Sequence, residues 1–509
     1  MHTAPRGPRS TTLLRSRAWA LVAVLLLASV AASSARAALH YTFDAACAEA
    51  YATIVELRLD EGRARLAALR REDPDNLVPV WLEDYADFFE VYIDEDEGDF
   101  ERLERAYEQR LDRLREGPAD SPYHLYTQAN VMLHWALARM KFGEYVTTLR
   151  ESRKAYKLLE RNLERFPDFE MTRKELGLLQ AVVSTVPSGY QWGVELLTGM
   201  EGDMVGGRRN LERVMRQQRR DGSPFLQETT ALYALLLLHL EREEDEAWSR
   251  IRGAGFSESS LLGVFVTANI AMRTGRNDEA LRLLSRRPHS PRYHPFPYLS
   301  FMHGVCLQRK LDPTASVYLR SYVERKPRGN FVKEAYLKLA WQAFLAGETE
   351  RYRGYLARVR TEGQTVVGSD KAALREAASG EPPHVDLLRA RLLFDGGYYE
   401  RAAAAVARVD AGALTGERRI ELPYRTARIA HRRGRYDEAT EHYLRAIAVG
   451  RDAPPYYACR SAVELGIIAE HRGDRAAAEA YFREALTIHP AEYEPELHQQ
   501  AKAGLGRLR

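Results

Sequence analysis

The chain has 509 residues, 45% hydrophobic and 28% charged, a balance that excludes a disordered chain and a multi-spanning membrane protein. Its formal charge is +3, but residues 1–37 hold five arginines and no acidic side chain. Beyond them 69 basic residues face 71 acidic ones, which removes the general electrostatic case for a nucleic-acid partner.

Residues 1–37 read as a secretory signal. Arg6, Arg9, Arg15 and Arg17 precede the apolar run "AWALVAVLLLASVAA", and "SSARA" places Ala35 and Ala37 at small-residue cleavage positions. Fifteen apolar residues fall short of the roughly 20 a spanning helix needs. The expected product is therefore exported to the periplasm or cell envelope with no stable transmembrane span after cleavage. The alternative is retention of the segment as an anchor.

Residues 38–255 read as degenerate helical repeats. "RLDEGRARLAALRREDPDN" and "HWALARMKFGEYVTTLRESRKAYKLLERNLERFPDF" are helices punctuated by Pro74, Gly143 and Pro167, and "VWLEDYADFFEVYI" carries core residues at helical spacing. The acidic run Asp94–Glu101 lacks the ligand spacing of a calcium loop and suits the start of a helix. The segment "STVPSGYQWGVELLTGMEGDMVGGRRNLERVM" contains no phosphate-binding motif and follows no strand. Its glycines are architectural. Pro187 is expected in the first turn of one helix, Gly202 in the turn, and Gly207, Leu211 and Val214 on the packed face of the next. The arginines of "RRNLERVMRQQRR" read as a solvated helix face.

Residues 256–509 repeat one pattern: a small residue on a first helix, a turn glycine, then small and large residues on a second. It runs through Ala268, Gly275, Ala280 and Leu284, then Gly304, Ala315, Leu319 and Tyr322. Leu339, Ala340, Gly347 and Leu356 follow, with Tyr352 at the small position. Next come Ala390, Gly397, Ala402 and Val406, then Ala427, Gly434, Ala439, Tyr443 and Ala446. "SAVELGIIAEHRGDRAAAEAYFREALTIHP" is the clearest copy, with Gly466, Gly473, Ala478, Phe482, Ala485 and Pro490. This is the tetratricopeptide spacing. Residues 361–384 interrupt the array with a loop and short helix, which Ser369 or Asp370 would cap and Gly380 would end.

The tetratricopeptide likeness covers most of the chain from about residue 40. "KPRGNFVKEAYLKLAW" and "SDKAALREA…LLRARLLFDGGYYERA" resemble a family of exported bacterial tetratricopeptide proteins without an established activity. The 184–215 segment is more distantly similar to the tetratricopeptide repeat protein 39 and inclusion-body-clearance group. These resemblances imply a helical-repeat adaptor and supply no catalytic residue.

The predicted fold is all-α, a superhelix of stacked antiparallel helix pairs. Its first helices line a concave surface, which places Trp341, Phe344, Arg391, Phe394, Tyr424, Arg428 and His431 in one groove. Aromatic and cationic side chains so interleaved suit an extended peptide bearing carboxylates. The expected function is a non-enzymatic scaffold for a protein or peptide. The alternative is a glycan or small-molecule binder stacking on Trp341 and Tyr424. Cys47, Cys306 and Cys459 are expected as separate buried thiols. No cofactor, metal or catalytic motif is read, and His431 and His471, at similar places in consecutive repeats, lack a third ligand.

Overall fold

The computed structural model describes residues 38–184, 200, 202–238 and 243–508. The signal, Pro187 and most of the glycine-rich segment's first half lie outside them. The N-terminal half comprises α1 (Ala45–Val55), α2 (Leu59–Glu72), α3 (Val78–Asp94), α4 (Glu97–Arg115), α5 (Pro122–Lys141), α6 (Tyr145–Arg165), α7 (Glu170–Ser184), α8 (Met204–Asp221), α9 (Leu226–Leu236) and α10 (Glu244–Gly253). Then follow α11 (Leu261–Arg273), α12 (Asn277–Arg286), α13 (Tyr298–Arg309), α14 (Ala315–Arg325), α15 (Val332–Leu345), α16 (Thr349–Thr361) and α17 (Gly368–Ser379). The last are α18 (Val385–Asp395), α19 (Tyr399–Val406), α20 (Arg418–Arg432), α21 (Tyr436–Gly450), α22 (Tyr457–His471), α23 (Arg475–Ala485) and α24 (Glu494–Arg507). Among the described residues there is no strand, only a bridge between His40 and Asn76. No helix among them is long and apolar enough to cross a membrane.

The pairing follows from the repeated residues. Gly275, Gly347, Gly397, Gly434 and Gly473 all have φ between 71° and 81°, the left-handed conformation that ends one helix and reverses the chain into the next. Ala280, Ala402, Ala439 and Ala478 are fully buried where the paired helices touch. Phe482 fills the space beyond its own pair: Cβ atoms added at Gly466 and Gly504 would each lie 2.5 Å from its ring. Small residues on α22 and α24 therefore make room for one large residue on α23.

The described part of the glycine-rich segment packs on the helix before it. Gly202 lies against the Ser184 backbone. Gly207 is buried against α7, where an added Cβ would fall 2.5 Å from the Gly177 carbonyl oxygen and 3.2 Å from Ala181. α8 thus packs on α7, and the helix expected to begin at Pro187 lies outside the described residues. Leu211 and Val214 are buried as expected.

A correction concerns Asp370. The helix at 361–384 forms as α17 and ends at Gly380 (φ 73°), but neither Ser369 nor Asp370 caps it; Val367 holds the cap position without a side-chain bond. Asp370 instead accepts from the Phe331 and Glu334 amides, at 2.6 and 2.9 Å, and so caps α15 across the packing interface. Replacing Asp370 with alanine orphans both amides. It is expected to cost about 1–2 kcal/mol, read as a lower urea midpoint at unchanged slope.

The superhelix coils far enough to touch itself. At Gly397 an added Cβ would overlap the Gly275 carbonyl oxygen, and the Tyr398 hydroxyl donates to Asp278 at 2.8 Å. His294 meets Asp94 at 3.0 Å, and the Asn330 amide donates to Glu95 at 2.9 Å. Asp96 caps α4 by accepting from the Asp99 amide. The acidic run at 94–101 is thus used in caps and long-range polar contacts that join the two halves.

Candidate binding groove

The coiling brings α10 and α11 opposite α18, α20, α21 and α22 and leaves a cavity of about 400 Å³ between them. Phe394, Arg428 and His431, three of the seven residues expected in the groove, line it together. The Arg428 guanidinium carbon lies 4.3 Å from the Phe394 ring centroid and 5.7 Å from that of Tyr424. It has no carboxylate within ion-pair distance among the described residues. An arginine held over aromatic faces without an acid keeps its in-plane N–H donors available for an anionic ligand.

The other four are placed elsewhere. Trp341 and Tyr424 are buried, 1% and 2% exposed, and offer no open ring face to a sugar. Trp341 donates to Glu376 at 2.6 Å and is covered by Lys338 and Arg391. Arg391 is occupied by that ring and by Glu376 at 3.6 Å. Phe344 turns to a different cavity, against Tyr352. Assignment by repeat position named three residues that share one cavity and four that do not. It did not show which side chains α17, inserted against α15 and α16, would engage through Glu376.

The groove also holds residues that repeat alignment did not find. Arg432 donates to both Glu244 oxygens, at 2.7 and 2.8 Å, and locks α20 to α10 across the opening. Arg460 pairs with Glu464 at 2.8 Å, and Glu464 lies 3.5 Å from His431 Nδ1. Burial is the largest influence on His431 and moves its pKa below 6.5; Arg432 and Arg428 act the same way and Glu464 opposes them. The ring is therefore neutral at pH 7. Tyr436 lies beside both His431 and His471, at 5.7 and 5.5 Å between centroids, so it is an aromatic neighbour that these two histidines share.

Arg273 lines this cavity and a second one of about 490 Å³, so the two adjoin. The second is walled by Phe88, Phe89, Tyr92, Phe265, Phe296 and Tyr298. Its charged rim is neutralised: Lys141 pairs with Glu95 at 2.5 Å, and Lys326 donates to the Ile93 carbonyl at 2.6 Å. Arg273 bonds only to Asn269, at 3.3 Å, and has no acid partner among the described residues. The composite groove is thus aromatic at one end and cationic at the other. In α8, by contrast, Arg208 is held by Glu243 and Glu246, while Arg209, Arg213, Arg216 and Arg220 are exposed to solvent.

The stacked helix pairs define a helical-repeat protein with a lined internal cavity. Residues 420–491, α20 to α23, match the tetratricopeptide repeat family model. No curated protein matches the chain. Among solved structures it is similar to the human IFIT1 dimer with m7Gppp-AAAA, at 15% identity and a TM-score of 0.34 over 92% of this chain and 90% of that one. It is also similar to yeast Tom70, at 14% identity and TM-score 0.24 over 91% and 88%. The Cut9–Hcn1 hetero-tetramer of APC/C gives 12% identity and TM-score 0.28 over 89% and 95%. These likenesses lie in the stacking of helices, and no ligand or partner follows from them.

Proposed function

We propose that the chain is a non-enzymatic scaffold of the cell envelope that binds a protein segment carrying a carboxylate close to a large apolar side chain. The observation that carries the reading is the pair of arginines, Arg273 and Arg428, that form no ion pair among the described residues beside the aromatic cavity. The acid of the partner would meet Arg428 over Phe394, and its apolar side chain would enter between Phe265 and Phe296. The envelope assignment rests on the signal-like pattern of residues 1–37. Burial pushes the thiols of Cys47, Cys306 and Cys459 up to about 12, which supports a structural rather than nucleophilic role.

The test uses fluorescent peptides that pair glutamate or aspartate with phenylalanine or leucine, titrated into the protein and read by anisotropy. Arg428→Glu is expected to weaken binding by about tenfold or more, since it loses a charge-assisted bond and adds repulsion. Arg445→Glu, on an exposed position of α21, carries the same charge change and should not. Anionic ligands favour His431 in its protonated form, so affinity should rise as pH falls from about 7.5 to 5.5 and stay flat in His431→Gln. The groups facing that ring, Glu464, Arg428, Arg432, His471 and Tyr443, are unchanged in the variant. Because the IFIT1 structure contains a capped RNA, a capped oligoribonucleotide forms a second arm. Tighter binding of RNA than of any peptide, abolished by Arg428→Glu, would overturn the reading.

A further inference from the structure

The C-terminal end of the array carries a cluster of a different kind. Glu494 and His498 stand one turn apart on the first turns of α24, and His489 approaches from the loop after α23. The ring nitrogens and carboxylate oxygen that these three offer all lie within 4.8 Å of one another. His489 Nδ1 is 2.9 Å and His498 Nδ1 is 3.7 Å from the same oxygen, Glu494 Oε1. Two ligands bound tetrahedrally at 2.0–2.1 Å stand about 3.3 Å apart, and the two separations bracket that figure.

His498 supplies the telling detail. Its Nε2 lies 2.9 Å from the Ile488 carbonyl oxygen and donates a proton to it. That bond leaves Nδ1 facing the Glu494 carboxylate, where a bound cation would bridge the two ligand atoms. A backbone carbonyl fixing the far nitrogen is also how metal-ligating histidines are commonly oriented. Tyr493, in a left-handed conformation (φ 58°), turns the chain so that Glu494 begins α24 facing His489.

We infer that His489, Glu494 and His498 form a site for a divalent transition metal, with solvent completing the coordination on the exposed His489 side. Two imidazoles and one carboxylate suit zinc, nickel or copper and not magnesium or calcium. The ion would tie the loop after α23 to the last helix and fasten the end of the superhelix.

The full chain, free of any histidine tag and stripped of metal, is titrated with Zn²⁺ by calorimetry at neutral pH, with Mg²⁺ alongside. One Zn²⁺ is expected to bind and to raise the temperature at which the C-terminal pair melts, with no response to Mg²⁺. His489→Ala and His498→Ala should each weaken Zn²⁺ binding by about tenfold or more. His489 is exposed, so its variant tests ligation without disturbing the fold. Undetectable Zn²⁺ binding by the parent would overturn the inference. So would wild-type affinity in the doubly substituted His489→Ala, His498→Ala protein.

Discussion

Lys174→Ala is expected to destabilise the N-terminal half by about 3–5 kcal/mol, among the largest effects of any single substitution outside the repeats. Lys174 on α7 is fully buried, and its ammonium pairs with Glu228 on α9 and lies 3.1 Å from Glu175. Glu228 also accepts from Tyr51 at 2.7 Å, and Glu175 from Asn130 at 3.0 Å, which in turn accepts from Trp81 at 2.9 Å. Five helices, α1, α3, α5, α7 and α9, therefore meet on one polar network. Removing the ammonium leaves two carboxylates facing each other without a counter-charge. Lys174→Met restores volume but not charge and is expected to remain nearly as destabilised, which separates the electrostatic loss from a cavity. Urea unfolding followed by tryptophan fluorescence provides the measurement, since Trp81 and Trp135 lie in this half. The same network sets an acid limit. Burial by itself would raise the Glu228 carboxyl, but Lys174 and Tyr51 outweigh it and hold the group below 4.5. Its stabilising contribution is thus present above that value and lost as pH falls through the depressed one, and Lys174→Ala should remove the dependence.

Phe482→Ala should cost about 3–5 kcal/mol, confined to the C-terminal end. The ring is fully buried between Gly466 on α22 and Gly504 on α24, and neither glycine has a side chain to fill the space it would leave. A stacked array is stabilised chiefly through neighbouring interfaces, so this loss should appear as separate early melting of α22–α24 and not as a uniform shift. Hydrogen exchange resolved along the chain distinguishes the two: amides of α24 should lose protection while those of α3 and α5 keep theirs.

The repeat unit was legible because its steric demands are local. A turn glycine must adopt positive φ, a small residue must stand where two helices touch, and a large one must fill the next gap. Gly434, Ala439, Gly473, Ala478 and Phe482 show all three in the sequence. The described part of the glycine-rich segment was legible in kind, as architecture, but its contact with α7 was not. Gly207 requires a close backbone neighbour, and nothing local says that Gly177, thirty residues back, provides it. Asp370 misled for a similar reason: a carboxylate at a helix start normally caps that helix, and here packing delivered it to another one.

The sequence by itself determined the all-α repeat and the burial of the three cysteines, because each depends on spacing within one helix pair. Only the tertiary structure decided what the groove contains. Trp341 and Tyr424 are withdrawn into the core, while Glu244 and Arg273 arrive from helices more than 150 residues before Arg428. The His489–Glu494–His498 cluster likewise needs the turn at Tyr493 to bring the loop onto the helix. The physical reason is the small rotation between successive pairs. It accumulates over the array until α10 and α11 face α20, and no single repeat encodes that closure.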